Sequence, residues 1–126
     1  MRILFVLLVL TLVGCAPSSV KIGNLEVMTE DLGDIMNLQA AEGECDYYGD
    51  GWRLPTIEEL KIMCENKDVI GGFVSDPYMD DMYWSSDEME KGGSTYPMSF
   101  YFYSCREETQ LRDDWIRVRL VRTAKP

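Results

Sequence analysis

The chain has 126 residues, of which 46% are hydrophobic, and its 22 acidic residues, 12 basic residues and absent histidines give a formal net charge of −10. This length suits a single domain. So acidic a chain repels the phosphate backbone of nucleic acids, gains nothing from anionic lipid head groups, and without histidine lacks Ser-His-Asp and Cys-His catalysis.

The N-terminal segment has the pattern of a bacterial lipoprotein signal. Arg2 is followed by an apolar run from Ile3 to Val13, and the run ends in Leu-Val-Gly-Cys, with the cysteine at position 15. The run is shorter than the roughly 20 apolar residues that a membrane-spanning helix needs, but it suits a secretory signal. Its last four residues resemble a lipobox, which implies cleavage before Cys15 and lipidation of that cysteine.

This processing divides the chain into three predicted parts. Residues 1–14 are the signal peptide, 15–20 are the lipidated cysteine with a short tether, and 21–124 are the folded domain. The tether spans at most about 17 Å when extended, so the domain is expected close to the membrane. Ala16 follows the cysteine, and the resemblance to Gram-negative lipoproteins implies sorting to the outer membrane. Which face of that membrane the domain occupies is left open.

The mature chain begins with one predicted strand and a polar turn. Val20–Met28 is rich in β-forming residues, and Gly23-Asn24 within it indicates a bulge or a tight bend. The turn covers 31–34. Asn37 is then the predicted N-cap of a first helix, which Gly49 ends. The apolar face of this helix comprises Leu38, Ala41, Cys45 and Tyr48.

The stretch 51–60 carries the clearest local signal. The Thr56 hydroxyl can accept the Glu59 N–H while the Glu59 carboxylate accepts the Thr56 N–H, a reciprocal capping box. Pro55 keeps the residue before it extended. A second helix is therefore predicted from Ile57 to about Asn66. Its apolar face comprises Ile57, Leu60, Met63 and Cys64, and its solvent face comprises Glu58, Lys61 and Glu65.

The second half of the chain is predicted to consist of strands and loops. Loops are predicted at 69–73 and 75–82, strands at 83–86, 97–104 and 115–122, and charged connections at 87–94 and 106–114. Alternation assigns the strand faces. In strand 97–104 the core face comprises Met98, Phe100 and Phe102, and the other face comprises Tyr101 and Tyr103. In strand 115–122 the residues expected inward are Ile116, Val118 and Leu120, and those expected outward are Arg117 and Arg119. The order of elements favours an α+β fold with an antiparallel sheet.

Four motifs, in this order, resemble those of known bacterial families. Ile22–Leu32 resembles the opening signature of the Fibrobacter succinogenes major paralogous domain, and Gly51–Leu60 resembles the motif shared with the C-terminal domain of collagen-like bacterial adhesins. Tyr83–Ser86 and Val118–Arg122 are similar to the closing strands of those families. The resemblance implies a C-type-lectin-like fold, with two helices packed on small antiparallel sheets, in a secreted or surface-attached module that serves adhesion or glycan binding.

Four residues are candidates for contacting a ligand. Tyr101 and Tyr103 are candidates for stacking on a sugar ring, because the opposite strand face already supplies core residues; lateral packing on the sheet is the alternative. Asp87 and Glu88 supply carboxylates beyond the strand that contains Trp84. The three tryptophans are interpreted as core or half-buried residues: Trp52, Trp84 and Trp115. Arg53 is expected to pair with a carboxylate or to cap backbone carbonyls.

Acidic residues surround the predicted loop 75–82. Asp76, Asp80 and Asp81, together with Asp87 and Glu88, offer some of the six to eight oxygens that calcium requires. A solvated acidic loop is the preferred interpretation, because the signature of calcium-dependent lectins is absent. No other cofactor is predicted.

Three cysteines remain beyond Cys15, so at most one intramolecular disulfide can form. Export permits such pairing. Cys45 and Cys64 lie on apolar helix faces and are the preferred pair, and buried free thiols are the alternative. No motif places two reactive thiols in a groove, and the chain is predicted not to be an enzyme.

The sequence therefore predicts a non-catalytic outer-membrane lipoprotein that presents a small lectin-like domain for glycan or surface binding. The alternative is an envelope lipoprotein with a structural or interaction role, a protein partner and no sugar affinity. The expected partners are the membrane, through the lipid anchor, and a glycan or an envelope protein, but not nucleic acid.

Overall fold

A computed structural model describes residues 16–76, 78 and 80–126, so Cys15 and the predicted signal peptide lie outside the described residues. Within that part of the chain the fold is α+β with two small antiparallel sheets, as predicted. The elements in order are β1 (Ser19–Ile22), β2 (Leu25–Met28), α1 (Leu38–Tyr48), α2 (Ile57–Glu65), α3 (Lys67–Ile70), β3 (Met82–Lys91), β4 (Ser94–Tyr101), β5 (Arg106–Thr109) and β6 (Val121–Thr123). None of the helices described is long and apolar enough to cross a membrane.

The first sheet has the strand order β1-β2-β6. Ile22 pairs with Leu25, so the loop between β1 and β2 is the dipeptide Gly23-Asn24. Gly23 has a φ of 58°, and a positive φ at the first loop residue suits a two-residue hairpin. Of the two predicted alternatives, a bulge or a tight bend, the tight bend forms.

The second sheet has the order β3-β4-β5, and β3 and β4 make a long hairpin that turns at Gly92-Gly93. The charged connection predicted at 87–94 is therefore largely strand, whereas of the connection predicted at 106–114 only 106–109 is strand, as β5. The side chains of β5 and of the hairpin end of β3 are mostly exposed. Their polar composition therefore reflects contact with solvent and does not prevent the backbone from pairing.

A bulge interrupts the pairing of β3 with β4. Trp84 pairs with Ser99 and Glu88 pairs with Pro97, so residues 85–87 of β3 lie opposite a single residue of β4. Within the bulge, the Ser85 hydroxyl donates to a β4 carbonyl at 2.8 Å. Such bulges bend a strand and redirect its side chains.

Both long helices have the predicted N-caps. The Asn37 side chain accepts the N–H of Ala40 at 2.9 Å. At α2 the Thr56 hydroxyl accepts the Glu59 N–H at 3.1 Å and the Glu59 carboxylate accepts the Thr56 N–H at 2.9 Å, which confirms the capping box. Arg53 pairs with the same carboxylate, at 2.6 and 2.7 Å, as expected of it. The short α3 replaces the first part of the loop predicted at 69–73.

Two apolar clusters form the core, and the second sheet lies between them. Adjacent residues of β3, Tyr83 and Trp84, point into different clusters. The first cluster lies between the two sheets and α2, and its members include Leu25, Val27, Leu60, Met63, Phe100 and Phe102. The second lies under α1, and its members include Leu38, Ala41, Trp52, Leu54, Ile116 and Val118.

The cysteine pairing differs from the prediction. The disulfide joins Cys64 to Cys105, with their Cα atoms 6.0 Å apart, and Cys45 is free. The preferred pair, Cys45 and Cys64, is wrong because the two residues pack in different clusters: Cys64 belongs to the first and Cys45 packs against the second. An apolar helix face does not indicate which cluster covers it.

The C-terminal segment 115–120 is extended but forms no ladder. It makes single bridges, from Ile116 to Met36 and from Arg117 to Tyr83, so the strand predicted at 115–122 is reduced to β6. Ile116, Val118 and Leu120 are buried, as predicted. Because the segment runs between successive partners, both of its sides are covered over 118–120, where all three residues are buried.

Arg119 is consequently buried, and the prediction that it faces outward is wrong. Its guanidinium donates to Asp31 Oδ1 and to the carbonyls of Met28 and Gly71, each at 2.9 Å. Nη2 lies 2.8 Å from the same Asp31 oxygen at an angle unsuited to a hydrogen bond, so that contact is ionic. The guanidinium also lies 4.0 Å from the centroid of the Phe73 ring.

Gly72 lies against this network, and we expect Gly72→Ala to destabilise the domain by more than about 1 kcal/mol. Its φ is +76°, and an added Cβ would stand 2.5 Å from the Thr29 carbonyl oxygen. Gly71→Ala is the matched control, because Gly71 has a φ of +81° but an open site. Chemical denaturation of both variants separates the cost of a positive φ, which both share, from the cost of the clash with the Thr29 carbonyl oxygen, which only Gly72→Ala has. Equal losses would contradict the predicted clash.

Candidate functional site

A cavity of about 230 Å³ opens between α1 and the bulge of β3, and we call it the α1 cavity. Its lining residues are Leu38, Glu42, Cys45, Leu54, Ser85, Ser86, Asp87, Glu88 and Pro97. Three successive lining residues come from the bulge itself. The cavity therefore forms where β3 leaves its regular pairing beside the helix.

The α1 cavity has an apolar floor and a polar rim. The buried side chains of Leu38, Leu54 and Pro97 contribute to the floor. Glu42 and Ser86 are exposed at the rim. An apolar surface with a few polar groups at its edge is the usual composition of a small-molecule site. Such a surface can contact the C–H face of a ligand while the rim accepts hydrogen bonds from its hydroxyl or amino groups.

Asp87, a predicted ligand residue, lines the cavity but also holds α2 in place. Its Oδ2 accepts the N–H of Ile57, the first residue of α2, at 2.7 Å. A carboxylate at this end of a helix is also favoured by the helix dipole. Ser86 also connects the bulge to the segment before α2, because its N–H donates to the Pro55 carbonyl at 2.8 Å. The bulge and the start of α2 thus form one connected unit.

Glu88, the second predicted carboxylate, stands at the rim beside the turn 111–114. Its Oε1 lies 3.4 Å from Arg112 Nη2, and both side chains are well exposed, so this pair contributes little to stability. The Arg112 carbonyl accepts the Leu38 N–H at 3.3 Å, which places the turn at the N-terminus of α1. Leu111 and Trp115, at the two ends of the turn, are 60% and 61% exposed.

Two tryptophans are buried, as predicted, and one is not. Trp52 and Trp84 belong to the second core cluster. The interpretation of Trp115 as a core or half-buried residue is wrong, because its neighbour Ile116 takes the core position and alternation turns Trp115 outward. Trp115 is thereby the exposed aromatic ring on the turn that borders the rim.

The two predicted stacking tyrosines lie outside the lining of the α1 cavity. Tyr101 is half-buried in β4, where burial and the nearby carboxylates of Glu108 and Asp81 raise its pKa. Tyr103 is 58% exposed in the turn after β4, and its N–H donates to Asp81 Oδ2 at 2.9 Å. The structure therefore separates the four candidate ligand residues into two places, with Asp87 and Glu88 at the cavity.

The acidic residues around the predicted loop 75–82, for which calcium binding is the alternative interpretation, do not converge. In the described ranges no three acidic or cysteine side chains are grouped so that they could hold a metal ion. Asp76 accepts the N–H of Tyr78 at 2.9 Å, and Asp81 is buried beneath Tyr103. These two carboxylates therefore satisfy backbone N–H groups, Asp76 within its own loop and Asp81 in the turn after β4.

Cys45 is the free thiol at the cavity, and its surroundings make it a poor nucleophile. Burial raises the pKa of the thiol, with the nearby carboxylates of Asp46 and Glu42 acting in the same direction. The thiol form, which attacks far more slowly than the thiolate, therefore predominates at neutral pH. Its Sγ donates to the Ala41 carbonyl at 3.4 Å.

Sequence reasoning missed several lining residues of the cavity, among them Glu42, Leu54, Ser86 and Pro97. Glu42 reads as an ordinary exposed helix residue, and Pro97 as the start of a strand. No local signal identifies them, because the cavity depends on the register of β3 against β4. The Asp114 carboxylate accepts the Leu111 N–H at 2.9 Å. This short-range contact is the local feature that indicates the turn 111–114 beside the cavity.

Solved structures share this architecture at low sequence identity. A chain in a complex of a mutant von Willebrand factor A1 domain with botrocetin is 11% identical and superposes with a TM-score of 0.58, over 87% of this chain and 99% of that one. Botrocetin alone is 12% identical, with a TM-score of 0.59 and the same coverage. EMS16, an antagonist of the collagen receptor integrin α2β1, is 12% identical, with a TM-score of 0.60 over 86% of this chain and 99% of its own.

These likenesses show that the fold is C-type-lectin-like, as predicted. No protein-family model matches the chain, and no curated protein is similar enough to match it.

Proposed function

We propose that this protein is a non-catalytic outer-membrane lipoprotein whose C-type-lectin-like domain binds a glycan in the α1 cavity. The observation that carries the proposal is the cavity itself, with an apolar floor under a rim of carboxylate and hydroxyl groups. A sugar ring presents both an apolar C–H face and hydroxyl donors, which suits such a site.

The charges at the cavity favour neutral over acidic sugars. Glu42 and Glu88 stand at the rim, no basic side chain belongs to the described lining, and the adjacent Arg112 already faces Glu88. A sulfated or carboxylated sugar would meet like charges there. Trp115, three residues after the Arg112 that faces Glu88, offers an exposed aromatic face for a second ring of an oligosaccharide.

The side chains at the cavity support binding and offer no catalytic pair. The Asp87 carboxylate is engaged by the first turn of α2, the thiol of Cys45 is protonated, and Cys64 and Cys105 are joined to each other. The Ser85 hydroxyl and the Cys45 thiol donate to backbone carbonyls, and no hydroxyl or thiol of the described lining donates to a carboxylate that could activate it.

Glu42→Trp is expected to weaken glycan binding at least about tenfold, which corresponds to a loss of about 1.4 kcal/mol of binding free energy. The new indole would occupy the mouth of the α1 cavity from an exposed position of α1, so stability should change by less than about 0.5 kcal/mol. The measurement is a glycan array on residues 16–126, with and without calcium, followed by titration of the best ligand.

Glu58→Trp is the matched control, since Glu58 is an exposed residue of α2 outside the cavity lining. Binding by this variant should equal that of the natural domain. An array with no neutral glycan bound, or equal losses in the two variants, would refute the cavity as a glycan site.

The envelope location is supported by the lipobox and by the disulfide. Disulfides persist in exported proteins and are rare in the cytosol, and this chain joins Cys64 to Cys105. The motifs that resemble the Fibrobacter succinogenes major paralogous domain and the adhesin C-terminal domain also belong to surface-attached proteins. Ala16 supports sorting to the outer membrane.

Cys15→Ser is expected to abolish incorporation of a labelled fatty acid and to release the protein from the membrane fraction. The thiol of Cys15 is the proposed acylation site, and serine offers no thioether linkage. Metabolic labelling of cells that produce either chain makes the measurement, and Cys45→Ser is the control. Label that persists in the Cys15→Ser chain would contradict the lipoprotein assignment.

A second candidate function is binding of a protein partner without sugar affinity. The specific observation in its favour is the pair of exposed apolar side chains, Leu111 and Trp115, at the turn beside the cavity. Among the similar structures, botrocetin forms a complex with a protein domain, and EMS16 is an antagonist of an integrin. Failure of every glycan on the array would favour this alternative.

A further inference from the structure

Given the acylated Cys15 proposed above, on which this inference rests, we infer that the domain lies on the lipid surface with one defined face. We call it the exit face. It comprises Ala16–Ser18, Glu30–Gly33, Tyr47 and Tyr48.

The backbone is fastened to the domain almost directly after Cys15. The Ser18 carbonyl accepts the Thr29 N–H at 2.9 Å and the Thr29 hydroxyl at 3.3 Å, and Ser19 already pairs with Met28 in the first sheet. The predicted tether at 15–20 is therefore shorter than expected, because its second half belongs to the fold. From Cys15 to Ser18 the chain can span only about 11 Å.

The place where the chain leaves the domain is also defined. Ala16, Pro17 and Ser18 line a cleft of about 410 Å³ against the segment 28–33 and Tyr48. A domain of about 100 residues has a radius of gyration near 13 Å, so its full width exceeds twice the available reach. Acyl chains inserted in the bilayer must then hold the exit face against the lipid.

The composition of the exit face suits uncharged head groups. Tyr47 is 83% exposed and its ring meets that of Tyr48 edge-on, with centroids 5.4 Å apart. Tyrosine is enriched at membrane–water interfaces. Glu30, Asp34 and Asp46 are exposed in the same region, so an anionic surface would be repelled and a zwitterionic one would not.

The α1 cavity and the exit cleft involve opposite ends of α1 at their outer limits. Helix α1 has 11 residues and is about 16 Å long. Tyr48, at its C-terminus, lies at the exit cleft, whereas Leu38, at its N-terminus, contacts the turn that borders the rim. The Glu88–Arg112 part of the rim therefore lies near the opposite end of α1 from the exit cleft.

The test measures the depth of two labelled positions on membrane-bound protein. Glu30→Cys, on the exit face, and Lys91→Cys, at the tip of the β3–β4 hairpin, each carry a fluorophore in a Cys45→Ser background. The acylated full chain is reconstituted in zwitterionic vesicles that contain nitroxide-labelled lipids. We expect several-fold stronger quenching at position 30 than at position 91. The matched control inserts 20 glycine and serine residues after Pro17, a linker of about 25 Å root-mean-square length, which should remove the difference.

Three results would overturn the inference that the short tether holds the exit face on the lipid, and they differ in what else they affect. Equal quenching at both positions, on protein that floats with the vesicles, contradicts the defined face and leaves the lipid anchor intact. A difference that persists with the long linker contradicts the short tether as its cause. Protein that is produced and folded but does not float with the vesicles contradicts the anchor, and with it the proposed lipoprotein.

Discussion

Replacing Arg119 by alanine is expected to lower the free energy of unfolding by about 3–5 kcal/mol. The substitution leaves the Asp31 carboxylate without its closest cation, leaves the carbonyls of Met28 and Gly71 without their donor, and opens a space above the ring of Phe73. The Tyr83 hydroxyl, which donates to Asp31 at 2.8 Å, cannot neutralise that charge, and Arg117, whose Nη1 lies 3.7 Å from Asp31 Oδ2, compensates it only in part. Urea denaturation of residues 16–126, followed by tryptophan fluorescence, makes the measurement.

Arg112→Ala is the control for the loss of an arginine. Its one described ion pair, with Glu88, is exposed on both sides, so a change within about 1 kcal/mol is expected. Asp31→Asn separates charge from hydrogen bonding, because the amide oxygen can still accept from Arg119. A loss in Arg119→Ala no larger than that in Arg112→Ala would show that the guanidinium is not buried as described.

Breaking the disulfide between Cys64 and Cys105 is expected to lower stability by about 4 kcal/mol. The bonded residues are 41 positions apart, and they connect α2 to the turn between β4 and β5. Without the bond, the unfolded chain regains the freedom of that loop. Denaturation with and without a reductant measures the effect, and Cys105→Ser should match the reduced natural domain in both conditions.

Cys45→Ser tests the pairing itself. Because Cys45 packs against the other core cluster, this variant should retain the full sensitivity to reductant. A Cys45→Ser domain that no longer responds to reductant would assign the bond to Cys45 and contradict the structure.

The interactions that sequence reasoning predicted correctly are short in range. The Asn37 cap and the capping box of Thr56 and Glu59 each join residues three positions apart. Their chemistry is complete within one helical turn, so the residues themselves specify it. The same holds for the apolar faces of α1 and α2 and for the burial of alternate residues 116, 118 and 120.

The interactions that were mispredicted join residues far apart in the chain. Arg119 reaches Asp31 across 88 positions, and Asp87 caps a helix that begins 30 positions earlier. Alternation placed Arg119 on a solvent face, but the loop after α3 covers that face with the Gly71 carbonyl and the ring of Phe73. Asp31 likewise reads as a turn residue, and it becomes the partner of a buried cation.

The sequence by itself thus determined where the two long helices begin, which of their faces are apolar, and that the chain has an α+β architecture, because those properties depend on neighbouring residues. Only the tertiary structure decided the α1 cavity, the exposure of Trp115, the cysteine pairing and the exit face. Each of these depends on which surfaces meet: the register of β3 against β4 creates the bulge, and two separate clusters divide the cysteines. Such long-range packing leaves no local signal in the residues that take part.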